Sequence, residues 1–184
     1  MAVMSQAEAI SRQFDGPKPG RYRISPADST VTIRTRHFFG LGAVRATLAL
    51  RDGRIVVTDP PEASTVQVRF SASSFDSGNG ARDAAVLSRS LLHAEAHPTI
   101  SFISTGLVSE QGTWSLRGEL EVRGVTRLVE ARITALTVDA DGTTLSASAQ
   151  AGIDRYDFGI TTYRGLAARR LTVNFDVTAH REQS

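Results

Sequence analysis

The stretch SFDSGNGARDAAVLSRSLLHAEAHPTISF (residues 74–102) is the one place where a helical pattern interrupts strand-like sequence. A polar turn with two glycines leads into Arg82 and Asp83. Apolar residues then recur at helical spacing at Val86, Leu87, Leu91 and Leu92. Pro98 returns the chain to an extended form. The pattern predicts one amphipathic helix that packs against a structure made of strands.

On both sides of this stretch, apolar and polar residues alternate with a period of two. The clearest apolar faces are Val66, Val68 and Phe70, and Leu171, Val173, Phe175 and Val177. Strands with one apolar and one polar face are typical of antiparallel sheets. Glycine-containing turns predict hairpins at Asp52-Gly53, Glu110-Gln111-Gly112, Arg123-Gly124 and Asp141-Gly142. We therefore predict an all-β fold, an eight-stranded antiparallel up-and-down barrel with one or two short helices covering it.

Composition limits the classes of function. The chain has 184 residues, which suits one domain, and its net charge of +2 does not indicate a nucleic-acid partner. It contains no cysteine, which excludes disulfides and thiolate metal sites. No apolar run approaches the ~20 residues that cross a bilayer, so no stable membrane insertion is expected. The first residues lack the pattern of a secretory signal, which predicts a cytoplasmic location.

The domain organisation follows from a break near residue 20. Residues 15–20, DGPKPG, favour a turn or linker. We predict an N-terminal arm over residues 1–19, flexible or forming a short helix, and a barrel domain over residues 20–184.

One predicted strand bears on what the barrel contains. Leu145, Ala147, Ala149 and Ala151 share its apolar face. Small side chains either allow close packing against a neighbour or leave the interior unfilled. An eight-stranded barrel is just wide enough for either outcome, so this choice bears directly on function.

Several motifs, taken in order, resemble a known family. They are His37-Phe38-Phe39-Gly40-Leu41-Gly42, Ser74-Phe75-Asp76, Arg82-Asp83, Pro98-Thr99-Ile100-Ser101-Phe102, Arg123-Gly124-Val125-Thr126-Arg127, and Asp154-Arg155 with Asp157-Phe158-Gly159. The chain is similar to the YceI-like domain family, lipocalin-like barrels associated with polyisoprenoids and similar long-chain lipids. It departs from the family pattern at Ala46, Leu48, Ala85, Leu91 and Leu92.

The resemblance implies a function of binding and sequestering or transporting a long-chain apolar lipid: a polyisoprenoid, an isoprenoid quinone or a fatty-acid-like chain. It implies no enzymatic activity and no cofactor other than the lipid. The residues expected to contact the lipid are His37, Phe38, Phe39, Phe75, Arg82, Val86, Leu87, Leu91, Leu92, Phe102, Arg155 and Phe158.

Alternatives remain open at several positions. His93 and His97 have metal-ligand spacing on a helix, but Pro98 disfavours it, and we predict no metal site. His37 and the Arg82-Asp83 pair suit either a ligand head group or a structural role. Two other functions compete with a lipid carrier. One is a barrel enzyme with His37 and Asp83 or Asp157 as acid and base. The other is a ligand-free interaction module, for which a homodimer is one form.

Overall fold

The computed structural model describes residues 16–37 and 42–183, and at residues 36, 37 and 42 it describes the backbone alone. The strands are β1 (Gly20–Ile24), β2 (Thr30–His37), β3 (Gly42–Leu48), β4 (Leu50–Val57), β5 (Thr65–Ser71), β6 (Thr99–Glu110), β7 (Thr113–Val122), β8 (Val125–Val138), β9 (Thr144–Asp154) and β10 (Arg170–Arg181). The helix α1 is Gly80–Leu87. Single 3-10 turns occupy Pro61–Ala63, Ala72–Ser74 and Arg155–Phe158.

The strands form one closed antiparallel sheet. Each of β4 to β9 pairs with the next strand, and β10 also pairs with both β1 and β2. Because β1 pairs with β4 while β2 pairs with β3, β1 and β2 act as one long strand interrupted at residues 25–29. In the same way β3 and β4 form one strand interrupted at Ala49. The ten segments therefore make eight continuous strands, which confirms the predicted up-and-down barrel.

Alternation places the apolar face of each strand inside. Val173 of β10 pairs with Ile33 of β2 and Ala151 of β9, and all three side chains line the interior. The polar neighbour Asn174 pairs with Thr32 and Gln150 on the outer face. Since closure pairs the outermost strands with each other, the sheet has no free edge along most of its length.

Most of the predicted hairpins are confirmed, and one is wrong. Gln111 and Gly112 have φ of 51° and 78°, and Arg123 and Gly124 have 55° and 73°, as tight two-residue turns require. Asp52-Gly53 lies inside β4, beside a register shift in its pairing with β5. A Cβ at Gly53 would lie 2.7 Å from Ile24 Cδ1, so this glycine allows close packing and makes no turn.

The helical stretch exists, but its helix is shorter than the apolar spacing predicts. Asn79 caps α1 by accepting a hydrogen bond from the Arg82 N–H at 2.9 Å. The helix stops after Leu87 because Ser88 is extended and its hydroxyl donates to the Ala85 carbonyl. Leu91 and Leu92 therefore lie in the turns that follow the helix.

Residues 72–98, which we call the lid segment, cross one end of the barrel. At one side Asp76 exchanges backbone hydrogen bonds with Thr47 of β3. At the other side Arg123, in the β7–β8 turn, donates to the Leu91 carbonyl at 3.1 Å. This end of the barrel is the lid end, and the end with the turns at residues 111–112 and 139–143 is the turn end.

Candidate functional site: an apolar cavity through the barrel

The barrel encloses a cavity of about 1740 Å³. Its lining extends from Val86 and Leu92 in the lid segment to Pro19, Pro61 and Trp114 at the turn end. Along β6 the lining runs from Ile100 to Ser109, about 30 Å of strand at ~3.3 Å per residue. Pockets for drug-sized molecules measure roughly 300–1,000 Å³, so this one suits a larger, elongated ligand.

The interior is filled unevenly. Fully buried apolar side chains are concentrated on β1–β6, which we call the packed half: Tyr22, Ile24, Val31, Val44, Ala46, Leu48, Leu50, Ile55, Val57, Val68, Phe70, Ile100 and Phe102. On β7–β10, the hollow half, many inward-facing side chains are only half-buried: Leu116, Leu120, Val129, Leu136, Ala147, Ala149, Leu171, Val173, Phe175 and Val177. An inward side chain that keeps accessible area in a closed barrel faces the cavity.

The small side chains on the inward face of β9 contribute to this uneven filling of the interior. Ala147, Ala149 and Ala151 all line the cavity. The sequence allowed either close packing against a neighbour or an unfilled interior at this face. The structure shows the unfilled interior. Ala149 pairs with Phe175, and the Phe175 ring lies 6.1 Å from the Phe70 ring of β5, centroid to centroid. The interior is therefore bridged by aromatic side chains at this level.

Most of the residues predicted to contact a lipid line this cavity. They are Phe75, Arg82, Val86, Leu91, Leu92, Phe102, Arg155 and Phe158. Ala85, a departure from the family pattern, lines it as well. Leu87 is not part of the lining and packs against the core from the lid segment. Phe38, Phe39 and the side chain of His37 lie outside the described residues.

Arg82 reaches the cavity from the first turn of α1. Its Nε donates to Ser77 Oγ at 2.6 Å, and its Nη2 donates to the Ser77 carbonyl at 3.1 Å. Asp83 accepts hydrogen bonds from the Ser77 hydroxyl and from the Ser77 N–H. The pair therefore holds the turn before the helix, while the half-buried Arg82 also brings a cation to the cavity wall.

Arg155 is more deeply buried than Arg82. It is 6% exposed, and it donates to the carbonyls of Ile160, Thr162, Ala167 and Ala168 at 2.7–3.2 Å. Burial lowers the pKa of the guanidinium from its ordinary value, because desolvation penalises the charged form. Four of its five N–H groups thus fasten the loop between β9 and β10.

Charge is sparse in the cavity. Among the described residues, the charged side chains that line it are Asp59 at the turn end and Arg82 and Arg155 at the lid end. Asp83 is bound to Ser77, and Asp157 is exposed. The described residues therefore do not bring either predicted acid or base partner of His37 to the cavity wall.

The two histidines considered as metal ligands lie next to each other at the end of the lid segment. The His93 and His97 rings make an edge-on contact with centroids 5.6 Å apart. Within the described ranges, no group of three or more His, Asp or Glu side chains is arranged to hold a metal ion.

The sequence motifs missed part of the lining. The motifs do not mark Trp114 at the turn end as a ligand contact, nor Val173, Phe175 and Val177 on the predicted apolar face of β10, although all four line the cavity. The alternation of apolar and polar residues could have identified these positions, since each of these four side chains faces inward. What it does not reveal is which inward positions meet a neighbour and which meet empty space.

The closed eight-stranded antiparallel sheet around a long apolar cavity defines the class of protein: a lipocalin-like barrel. The YceI-like domain family matches residues 22–179, so the chain belongs to that family. None of the described helices is long and apolar enough to cross a membrane.

Relatives agree with this assignment. Protein YceI of Salmonella arizonae is 25% identical over 179 residues, which cover 95% of this chain and 90% of that protein. A UPF0312 protein of Azotobacter vinelandii is 41% identical over 70 residues, 38% of this chain; the match spans only 36% of that relative's length.

Two solved structures share the fold. BcnA of Burkholderia cenocepacia superposes with a TM-score of 0.74 at 16% identity, covering 84% of this chain and 98% of that one. A polyisoprenoid binding domain from Saccharophagus degradans, implicated in plant cell wall breakdown, has a TM-score of 0.65 at 11% identity, covering 88% and 98%. At these identities the likeness shows the fold alone.

Proposed function

We propose that the protein binds a long-chain apolar lipid inside the barrel and sequesters or transports it. The observation that carries this proposal is the cavity of about 1740 Å³, which extends from the lid segment to the turn end with a largely apolar lining. The name of the S. degradans neighbour supports an isoprenoid chain, and a quinone with an isoprenoid tail or a fatty chain fits the same shape.

The energetics favour tight binding. Burial of about 30 carbons at ~0.8 kcal/mol each gives a gross gain of about 25 kcal/mol. Ordering of the chain and loss of translational freedom reduce this gain, and net affinities do not exceed ~18–21 kcal/mol. A ligand of this kind remains bound through purification. The proposal includes no catalytic step and needs no cofactor.

We place the polar end of the lipid at Arg82. Its guanidinium lines the lid end of the cavity, and its bonds to Ser77 use only Nε and Nη2. The guanidinium of Arg155 is less available because four backbone carbonyls already accept from it. A carboxylate or phosphate head near Arg82 would gain a charge-assisted hydrogen bond.

Trp114 provides the test of binding. It is the only tryptophan in the chain and it lines the cavity. Delipidated protein is titrated with cis-parinaric acid, a fluorescent fatty acid that accepts energy from tryptophan. We expect saturable energy transfer from Trp114, reversed by solanesol or another long prenol. Unsaturable transfer, or transfer that long prenols do not reverse, would refute binding in the cavity.

The head-group assignment has its own variant. We expect Arg82→Gln to weaken cis-parinaric acid binding about tenfold, because a hydrogen bond to a charged group is lost. Binding of a long-chain alcohol should change less. Arg89→Gln is the matched control, since Arg89 is exposed on the lid segment and does not line the cavity. Equal losses of affinity for the acid and the alcohol would show that Arg82 does not bind the head group.

A further inference from the structure

The tip of the β9–β10 loop presents apolar side chains to solvent. Tyr163 is 46% exposed and Leu166 is 55% exposed, and they are two of the four large apolar side chains exposed to this degree in the described ranges. A tight turn holds them together, since the Leu166 and Ala167 N–H groups both donate to the Tyr163 carbonyl at 3.1 and 2.9 Å. Tyr163 and Leu166 therefore form a small exposed apolar patch that is held in place by one turn.

The same tip lies at a mouth of the cavity. Tyr163, Leu166, Ala167 and Ala168 line the cavity at the lid end. The loop meets the lid segment there, where Thr162 Oγ1 donates to the Ser90 carbonyl at 2.9 Å. A molecule at the surface beside this tip would therefore lie next to the interior.

Exposed arginines lie on the loop and on the lid segment that it meets. Arg164 and Arg170 are exposed on the loop side, and Arg89 is exposed on the lid segment. None of these three lies within ion-pair distance of a carboxylate of the described residues. The exposed acids on these two segments are Asp76, Glu95 and Asp157; Asp76 lies at the other side of the lid segment, where it pairs with Thr47 of β3.

An aromatic ring supports two of the basic side chains. The guanidinium carbons of Arg164 and Arg169 lie 5.1 and 5.0 Å from the centroid of the Tyr156 ring. Arg169 is also paired with Asp154 at 2.7 Å, whereas Arg164 keeps its charge available. Stacking on Tyr156 holds Arg164 beside the apolar tip.

We propose that the tip residues Tyr163 and Leu166, with Arg89, Arg164 and Arg170, dock the protein on an anionic lipid bilayer. Apolar side chains among unpaired cations match such a surface, because the cations attract anionic head groups and the apolar groups enter the acyl boundary. The docked protein lies on the membrane without spanning it, and the cavity mouth faces the lipids. Docking does not require a lipid in the cavity, so this proposal and the proposed function can fail separately.

Vesicle flotation tests the docking. We expect binding to vesicles of equal parts phosphatidylglycerol and phosphatidylcholine, weaker binding at high salt, and little binding to phosphatidylcholine alone. Leu166→Ser should lower the partition coefficient about tenfold, and Arg164→Gln should lower it about fivefold. The matched controls are Leu128→Ser and Arg132→Gln on β8, because Leu128 is 77% exposed on the barrel wall and Arg132 is exposed on the same face, farther from the lid end. Absence of wild-type binding, or equal losses in the controls, would overturn the proposal.

Because the chain has no cysteine, a single label reports the orientation. Leu166→Cys and Leu128→Cys are each labelled with the environment-sensitive fluorophore NBD and mixed with the phosphatidylglycerol vesicles. We expect a blue-shifted, brighter emission at position 166 and no change at position 128. A change at 128 alone or at both positions, or at neither, would contradict docking by the loop tip. Arg164→Gln should still bind cis-parinaric acid, since Arg164 does not line the cavity.

Discussion

The packed half and the hollow half of the barrel present apolar side chains to the same interior, yet these side chains are buried to different degrees. On the packed half, residues such as Phe70 and Phe102 are 4% and 8% exposed, so their neighbours occupy nearly all of their surface. On the hollow half, Val173 and Phe175 point inward but remain half-buried, with the cavity beside them. Both halves line the cavity, but the packed half contributes more to stability and the hollow half leaves more of its side-chain surface open to the cavity.

The first way to test this contrast is to delete a large side chain from each half. We expect Phe102→Ala to reduce the free energy of unfolding by about 3–5 kcal/mol, because it removes a ring that is 8% exposed and packs closely over Gly118. Phe175→Ala should cost only about 1–2 kcal/mol, because it widens a cavity that already exists. Urea unfolding of the delipidated proteins measures both. Equal losses would show that the two halves are packed alike.

The next effect concerns the loop that closes the lid end beside the hollow half. Arg155→Met removes the donors to four carbonyls of residues 160–168 and should destabilise the protein by about 3 kcal/mol. Faster proteolysis within this loop should accompany the loss, as measured by limited chymotrypsin digestion, because chymotrypsin cleaves after Tyr163 and Leu166. The control is Arg164→Met, because Arg164 lies on the same loop but is exposed. A stable Arg155→Met protein with an intact loop would refute the anchoring role.

A third variant fills the hollow half. Ala149→Phe places a ring beside Phe175, where the contact between Phe70 and Phe175 already bridges the interior. We expect affinity for long prenols to fall at least about tenfold, because the chain can no longer extend past this level. Stability should be nearly unchanged or higher.

The control for this variant is Ala43→Phe, since Ala43 is exposed on β3. Displacement of cis-parinaric acid measures the affinities. Unchanged binding of long prenols by Ala149→Phe would mean that the ligand does not run through the interior.

The smallest expected effect lies in the hairpin that joins β8 to β9. The backbone N–H of Thr144, with help from Thr143, holds the pKa of the Asp139 carboxyl well below its usual range. Such a carboxyl takes up its proton more readily in the unfolded chain. Its contribution to stability is therefore complete above pH ~4, the unfolded value, and is lost as the pH falls through the depressed native value.

Asp139→Asn should remove this acid-sensitive contribution. We expect the variant to lose stability less steeply than the wild type between pH 4 and lower values, as measured by thermal unfolding at several pH values. Asp157→Asn, at an exposed aspartate outside this hairpin, is the control. Identical acid profiles for wild type and Asp139→Asn would show that the carboxyl at position 139 does not contribute.

Much of the fold follows from local patterns. Alternation along β10 and the glycine turns at Gly112 and Gly124 predict the antiparallel barrel, because each acts over a few residues. The failures involve contacts between distant residues. Asp52-Gly53 resembles a turn, but Gly53 packs against Ile24, and the apolar spacing hides the end of α1 at Ser88.

The site was less predictable for the same reason. Phe102 and Phe175 look alike in the sequence, yet only one is fully buried. A cavity is the difference between the volume that the closed barrel encloses and the volume that its side chains occupy. That difference depends on the whole wall, so alternation identifies inward positions such as Val173 and Trp114 without showing what they face.

The central claim is that the hollow half faces a bound lipid. Organic extraction followed by mass spectrometry of protein purified from its host tests it most directly, with the Ala149→Phe protein extracted in parallel. We predict close to one long-chain isoprenoid, quinone or fatty chain per wild-type protein and much less from the variant. A wild-type extract with no more lipid than the Ala149→Phe extract would contradict the account.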